Sequence, residues 1–146
     1  MENLRSPSFD RWALRYARWA LAAAFLSGIA SRFGLWGPGQ GYGTFANFVK
    51  YTAKVNSFMP ASTIPFLAWA ATVAELVLGL SLLLPFRRKP ARAVALASAG
   101  LLAVFAIAMA ISFGIKEPLD YSVFSASASA AALLVASHPS IEHEAA

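Results

Sequence analysis

The chain has 146 residues, of which 58% are hydrophobic and only 13% charged. That length suits one domain, and the composition leaves too little polar surface for a water-soluble globule and too much apolar surface for a disordered chain. There is no cysteine, which excludes a disulfide framework, a thiolate metal cage, an iron–sulfur site ligated by this chain and a redox dithiol. The only histidines, His138 and His143, sit in a polar tail, so no bis-histidine haem site or other metal centre is expected and no cofactor is intrinsic to the chain.

Charge-free runs mark the helices. Residues 19–31 carry no charge, residues 55–86 carry only Glu75, and residues 93–115 and 121–141 again carry none. A helix needs about 20 apolar residues to cross roughly 30 Å of hydrocarbon. The expectation is therefore an all-α, integral membrane four-helix bundle forming a single domain over 1–146, with spans at about 14–33, 64–84, 92–113 and 121–137. The first span has an Arg-rich flank and a small-x-small Gly28-Ile29-Ala30, as a cleaved signal does; it is expected to be retained. Residues 34–44 follow with five Gly and a Pro, a turn-rich excursion. Then Phe45, Phe48, Val49, Thr52, Val55 and Met59 recur at helical spacing, opposite Asn47, Lys50 and Lys54. This segment is too short to span and should lie flat at the outer interface, shielding the bundle end. A lid over an outward cavity is the alternative, and it requires a cavity.

Small residues let membrane helices approach closely. Ala68, Thr72, Glu75 and Gly79 form such a stripe on the second span, and Ala95, Ala99, Ala103, Ala106 and Ala110 one on the third. Ser122, Ser125 and Ser129 are expected to line the fourth. Asp120, in Pro118-Leu119-Asp120-Tyr121-Ser122, is placed to cap the first turn of that helix; the other reading has Asp120 or Tyr121 facing a ligand. Of the 12 Lys and Arg, eight (Arg5, Arg11, Arg15, Arg18, Arg87, Arg88, Lys89, Arg92) fall on one side of the spans and four (Arg32, Lys50, Lys54, Lys116) on the other. The positive-inside rule then puts both termini in the cytoplasm. Trp12, Tyr16, Trp36 and Tyr121 suit interfacial anchoring.

Glu75 is the costly residue. It lies about eleven residues from the outer end of its span, or about 16 Å deep, where a charge costs at least about 2.5–3.5 kcal/mol. Depth counting makes Arg18 its partner and puts Arg32, near the outer end of the first span, too far away. Ser27, Ser125 and Ser129 could add hydrogen bonds. Arg18–Glu75 reads equally as a buried pair that fixes helix register and as a polar site that carries a proton or holds a head-group.

Tyr16-Ala17-Arg18-Trp19 leading to Ala24-Phe25-Leu26-Ser27-Gly28 resembles the opening of the DoxX family of small bacterial membrane proteins. Ala74-Glu75-Leu76-Val77-Leu78-Gly79-Leu80 resembles that family's acid-then-glycine signature, and Gly114-Ile115-Lys116 with Pro118-Leu119-Asp120-Tyr121-Ser122 resembles one subgroup. The likeness covers residues 11–137. It implies a four-helix protein of the bacterial inner membrane. Family members include the small subunit of a thiosulfate–quinone oxidoreductase and proteins that associate with redox or detoxification partners.

Three functions follow as expectations. The first is a small membrane subunit of a redox system, an oxidoreductase partner contacting quinone, with Arg18 and Glu75 at its polar site. The second is a non-catalytic anchor or assembly partner with a dry interior. The third is a small-solute carrier, which usually shows internal repeats and broken helices; no convincing repeat is present. Nucleic-acid binding is not expected, because the basic residues flank spans and form no compact recognition module. Hydrolytic chemistry lacks a nucleophile–base pair.

Overall fold

The computed structural model describes residues 7–84 and 88–136. Arg5, Arg87, Ser137, His138 and His143 lie outside the described residues. Those described fold into helices alone, with no strand: α1 (Pro7–Arg32), α2 (Phe45–Val55), a 3₁₀ turn (Ala61–Thr63), α3 (Ile64–Leu83), α4 (Arg88–Phe113), α5 (Lys116–Asp120) and α6 (Val123–Ala136).

Local chemistry sets the helix ends. Pro7 opens α1, where a missing N–H costs nothing, and Gly34 closes it at φ 69° with the Leu35 N–H returning to the Ala30 carbonyl at 2.9 Å; only glycine adopts that left-handed turn at no steric cost. Thr44 caps α2, its hydroxyl accepting from the Asn47 N–H at 3.3 Å. Pro65 lies in the first turn of α3, and Gly114 ends α4 at φ 91°.

Helix α1 packs along α3 and α4 along α6; α1 also touches α6, whereas α3 and α4 meet over a shorter stretch. The stripe expected on the second span is the buried face of α3, extended to Ile64, Ala68, Thr72, Glu75, Gly79 and Leu82. On α4, Ala95 and Ala106 are buried and Ala99, Ala103 and Ala110 half-buried. The main core joins Leu21, Ala22 and Phe25 of α1 to Leu82, Ala95, Ala130 and Leu133. Large apolar side chains cover the outside as well: Phe66, Trp69, Val73, Val77 and Leu80 on α3, and Leu96, Val104, Ile107 and Ile111 on α4.

Among the described residues two helical stretches, Ala61–Leu83 and Pro90–Phe113, are long and apolar enough to cross a membrane, with 33% of the apolar 18-residue window of each buried inside the protein. The other two expected spans differ in kind. Helix α1 carries Arg15, Arg18 and Arg32, and the apolar part of α6, Val123–Leu133, is shorter than a bilayer crossing.

Two local features bear on the expectations, and one corrects them. Helix α2 turns Phe48, Thr52 and Val55 onto α3 and α4, so its apolar face covers protein. Asp120 does not cap the fourth helix: it ends the separate helix α5, where Lys116 pairs with it one turn earlier. Helix α6 begins three residues later, after Ser122 at φ 56°.

Candidate functional site

The register of α1 against α3 decides the partner of Glu75. A methyl group added at Gly28 would lie 3.0 Å from Glu75 Oε2, and one at Gly79 would lie 3.1 Å from Leu26 and 3.2 Å from Phe25. Gly28 is therefore level with Glu75, and the top of α1 reaches only the level of Thr72. Helical side chains lean toward their own N-terminus. Arg32, one turn above Gly28, leans down onto Glu75, while Arg18 leans away from it.

The ion pair is accordingly Arg32–Glu75, with Nη2 to Oε1 at 2.6 Å and both side chains 6% exposed. The expected Arg18–Glu75 pairing is incorrect. Depth counting aligned the outer ends of the two helices, but α3 extends well past the end of α1. Arg18 instead donates to the Leu82 carbonyl at 3.0 Å and to that of Leu84, satisfying the last turn of α3. Arg32 Nη1 donates to Thr72 Oγ1 at 3.0 Å, and the Thr72 hydroxyl donates in turn to the Ala68 carbonyl at 2.7 Å. The guanidinium carbon lies 3.8 Å from the centre of the Phe48 ring, a cation–π contact supplied by α2. The cluster holds the charges in fixed geometry, but the buried Arg32 Nε has no hydrogen-bond partner among the described residues, so the pair offsets only part of its own desolvation.

The remaining expected site residues scatter. Ser125 and Ser129 are exposed, and the Ser129 hydroxyl bonds back to the Ser125 carbonyl at 2.9 Å, so neither supports Glu75. The serine of α6 that faces inward is Ser127, whose hydroxyl donates to the Ala99 carbonyl at 2.9 Å. Ser27 offers its carbonyl to Trp36 Nε1 at 3.2 Å, and among the described residues its hydroxyl makes no bond to Glu75. Asp120 is exposed and paired to Lys116.

Tyr121 does join Glu75, across a cavity of about 840 Å³. Its floor is Arg32 and Glu75, its walls Ala71 and Ala74 of α3 and Leu101, Phe105 and Met109 of α4, and its roof Phe48, Tyr51 and Val55 of α2. Helix α2 therefore covers a cavity, the role that the lid reading required. Tyr42 and Tyr51 meet over the cavity with ring centres 5.2 Å apart, and Tyr42 also stands edge-on to Phe48. Burial, reinforced by Tyr51, pushes the Tyr42 hydroxyl well above the ordinary phenol range; burial also raises Tyr51. Both stay neutral hydrogen-bonding groups at physiological pH. Tyr42 is fixed by the glycine loop: Ser31 Oγ accepts its N–H at 3.0 Å, and a Cβ at Gly41 (φ 62°) would lie 2.0 Å from that oxygen.

Of the described residues lining the cavity, only Arg32 and Glu75 are charged, and they neutralise each other. A second cavity of about 150 Å³ lies at Arg18; Leu21, Ala22 and Phe25, packed with Leu78 and Leu102, fill the level between the two. Among the described residues no group of three or more His, Cys, Asp or Glu could hold a metal ion. Sequence reasoning missed Arg32, Thr72, Tyr42 and Tyr51 as site residues; the lean of helical side chains would have found the first, and the pairing of Gly28 with Glu75 the register. Comparison with family models, with curated proteins and with solved structures finds no match to this chain.

Proposed function

We propose that the chain is a multi-pass protein of a bacterial inner membrane. In this reading α1, α3, α4 and α6 form a four-helix bundle in the bilayer with both termini cytoplasmic, and the protein serves as a DoxX-like small membrane subunit of a redox system that holds a quinone. The observation that carries the reading is the apolar cavity with a buried, mutually neutralised Arg32–Glu75 pair at its floor and phenols at its roof. Apolar walls with a few convergent polar groups are the usual make-up of a small-molecule site. The apolar outer faces of α3 and α4 support immersion in lipid. The pairing of Arg32 with Glu75 reduces the cost of placing either charge at depth.

Two other readings fit less well. A scaffold that only anchors a partner has no need of an 840 Å³ cavity, since helix interfaces otherwise close to near-crystalline density. A solute carrier needs a path to the other side, and the Leu21–Phe25 layer of the core is apolar and filled. The test is to purify the protein in lipid nanodiscs, extract it and measure quinone per chain. Wild type should retain quinone, and Ala74→Phe, which fills the cavity wall, should lose most of it. No quinone retained, and none bound on addition, would refute the proposal.

A further inference from the structure

The cavity is partly open, and four of its lining residues are exposed. Most of its lining residues are buried or half-buried, but Ala70 on α3 and Val104 on α4 line it and are also exposed on the outer faces of their helices. Val104 is 61% exposed, and the side chains flanking these two, Trp69 and Val73 on α3 and Ile107 on α4, are exposed and apolar. The gap therefore faces hydrocarbon, not water, in the membrane reading. It exists because α3 pairs with α1 and α4 with α6, leaving α3 and α4 in contact over only a short stretch. The other exposed lining residues, Gly41 and Tyr121, belong to the segments that flank α2 and α6.

We infer that the gap between Ala70 and Val104 is a lateral portal through which an uncharged ring carrying a long apolar tail enters from the outer leaflet. The ring comes to rest against Arg32, Glu75 and Tyr42, and the tail lies across the alanines of α3 and out into the lipid. This rests on the quinone reading and adds the route, the orientation and the class of amphiphile. Charge selects the head: the lining offers no unbalanced charge, so an anionic phosphate or carboxylate would be desolvated beside Glu75 without a free cation to meet it. Size accommodates it, since about 840 Å³ lies toward the upper end of the roughly 300–1,000 Å³ that holds a drug-sized ligand. Small side chains at Ala70, Ala71 and Ala74 leave a smooth track for the tail.

Because the chain has no cysteine, the portal can be blocked after folding. Val104→Cys protein in nanodiscs is reacted with a bulky maleimide, and retention of a long-tailed quinone and of a tailless quinone ring is measured by native mass spectrometry, with Ala70→Trp as an independent block. The expected result is at least a tenfold loss of the tailed compound with less than a twofold change for the tailless ring, which enters beside the exposed Tyr121. Equal losses of both compounds, or no loss of either, would overturn the portal while leaving the quinone reading standing. An anionic phospholipid retained in place of added quinone would overturn the choice of amphiphile. Failure of unmodified protein to bind any quinone would overturn the function proposed above, and the portal with it.

Discussion

Removing one partner of the Arg32–Glu75 pair should be far more damaging than removing both. Each side chain is 6% exposed and the contact is 2.6 Å, so a lone Glu75→Leu change leaves a buried guanidinium with Thr72 as its remaining hydrogen-bond partner in the cluster. Breaking a buried pair in this way costs about 3–5 kcal/mol, whereas replacing both members with apolar residues of similar volume is often near neutral. Arg32→Met and Glu75→Leu should each destabilise by about 3 kcal/mol or more, and the double variant should recover most of that loss. The resulting coupling is about 5 kcal/mol, the two single losses less the small residual cost of the double variant, read from reversible unfolding of the four proteins in mixed micelles as a double-mutant cycle. The same cycle with Arg18→Met and Glu75→Leu should be additive within about 0.5 kcal/mol, the behaviour of groups without shared partners. Arg18→Met alone should cost about 1.5–3 kcal/mol through its charged bonds to the end of α3. A larger coupling for Arg18–Glu75 than for Arg32–Glu75 would refute the register and everything built on it.

Other consequences are open to direct measurement. Gly79→Val should destabilise by about 1–3 kcal/mol, because its side chain must enter space held by Leu26 and Phe25; Gly100→Ala, with nothing within 4 Å, should stabilise by up to about 1 kcal/mol through helix propensity, both read by thermal unfolding. Gly41→Ala should loosen the loop that holds Tyr42, because the added methyl meets Ser31 and φ is 62°, and hydrogen exchange of the Tyr42 amide should accelerate. Alkaline titration followed by tyrosinate absorbance should show late-ionising phenols that Tyr42→Phe and Tyr51→Phe remove. Since folding raises both above the unfolded value of 10.0, their contribution to stability is present below that pH and declines as pH rises through the raised values.

Much of this architecture is legible in the residues. The charge-free runs locate α1, α3, α4 and α6, and the spacing of Ala68, Thr72, Glu75 and Gly79 identifies the buried face of α3, because burial in a helix follows its 3.6-residue period. The partner of Glu75 was not legible by counting depth, since two antiparallel helices need not start level. Gly28 and Gly79 set the offset by admitting Glu75 and Phe25 against the facing backbone, a relation between helices that no single segment contains. The serines of α6 misled for a related reason. Ser125 and Ser129 share one face of the helix with each other, but the packing falls to Ala126, Ala130 and Leu133, roughly a quarter-turn round from them. The cavity arises from how unevenly the helix pairs close, a property of the assembled fold.

The most direct test is a nitrogen–carbon distance measured in the bilayer. Magic-angle-spinning NMR of isotope-labelled protein in lipid should give a through-space cross-peak between the Arg32 guanidinium nitrogens and the Glu75 carboxyl carbon, as a contact of 2.6 Å between Nη2 and Oε1 requires, and none from Arg18. A Glu75 carboxyl correlated to Arg18, or to no arginine at all, would contradict the polar floor on which the cavity, the quinone and the portal depend.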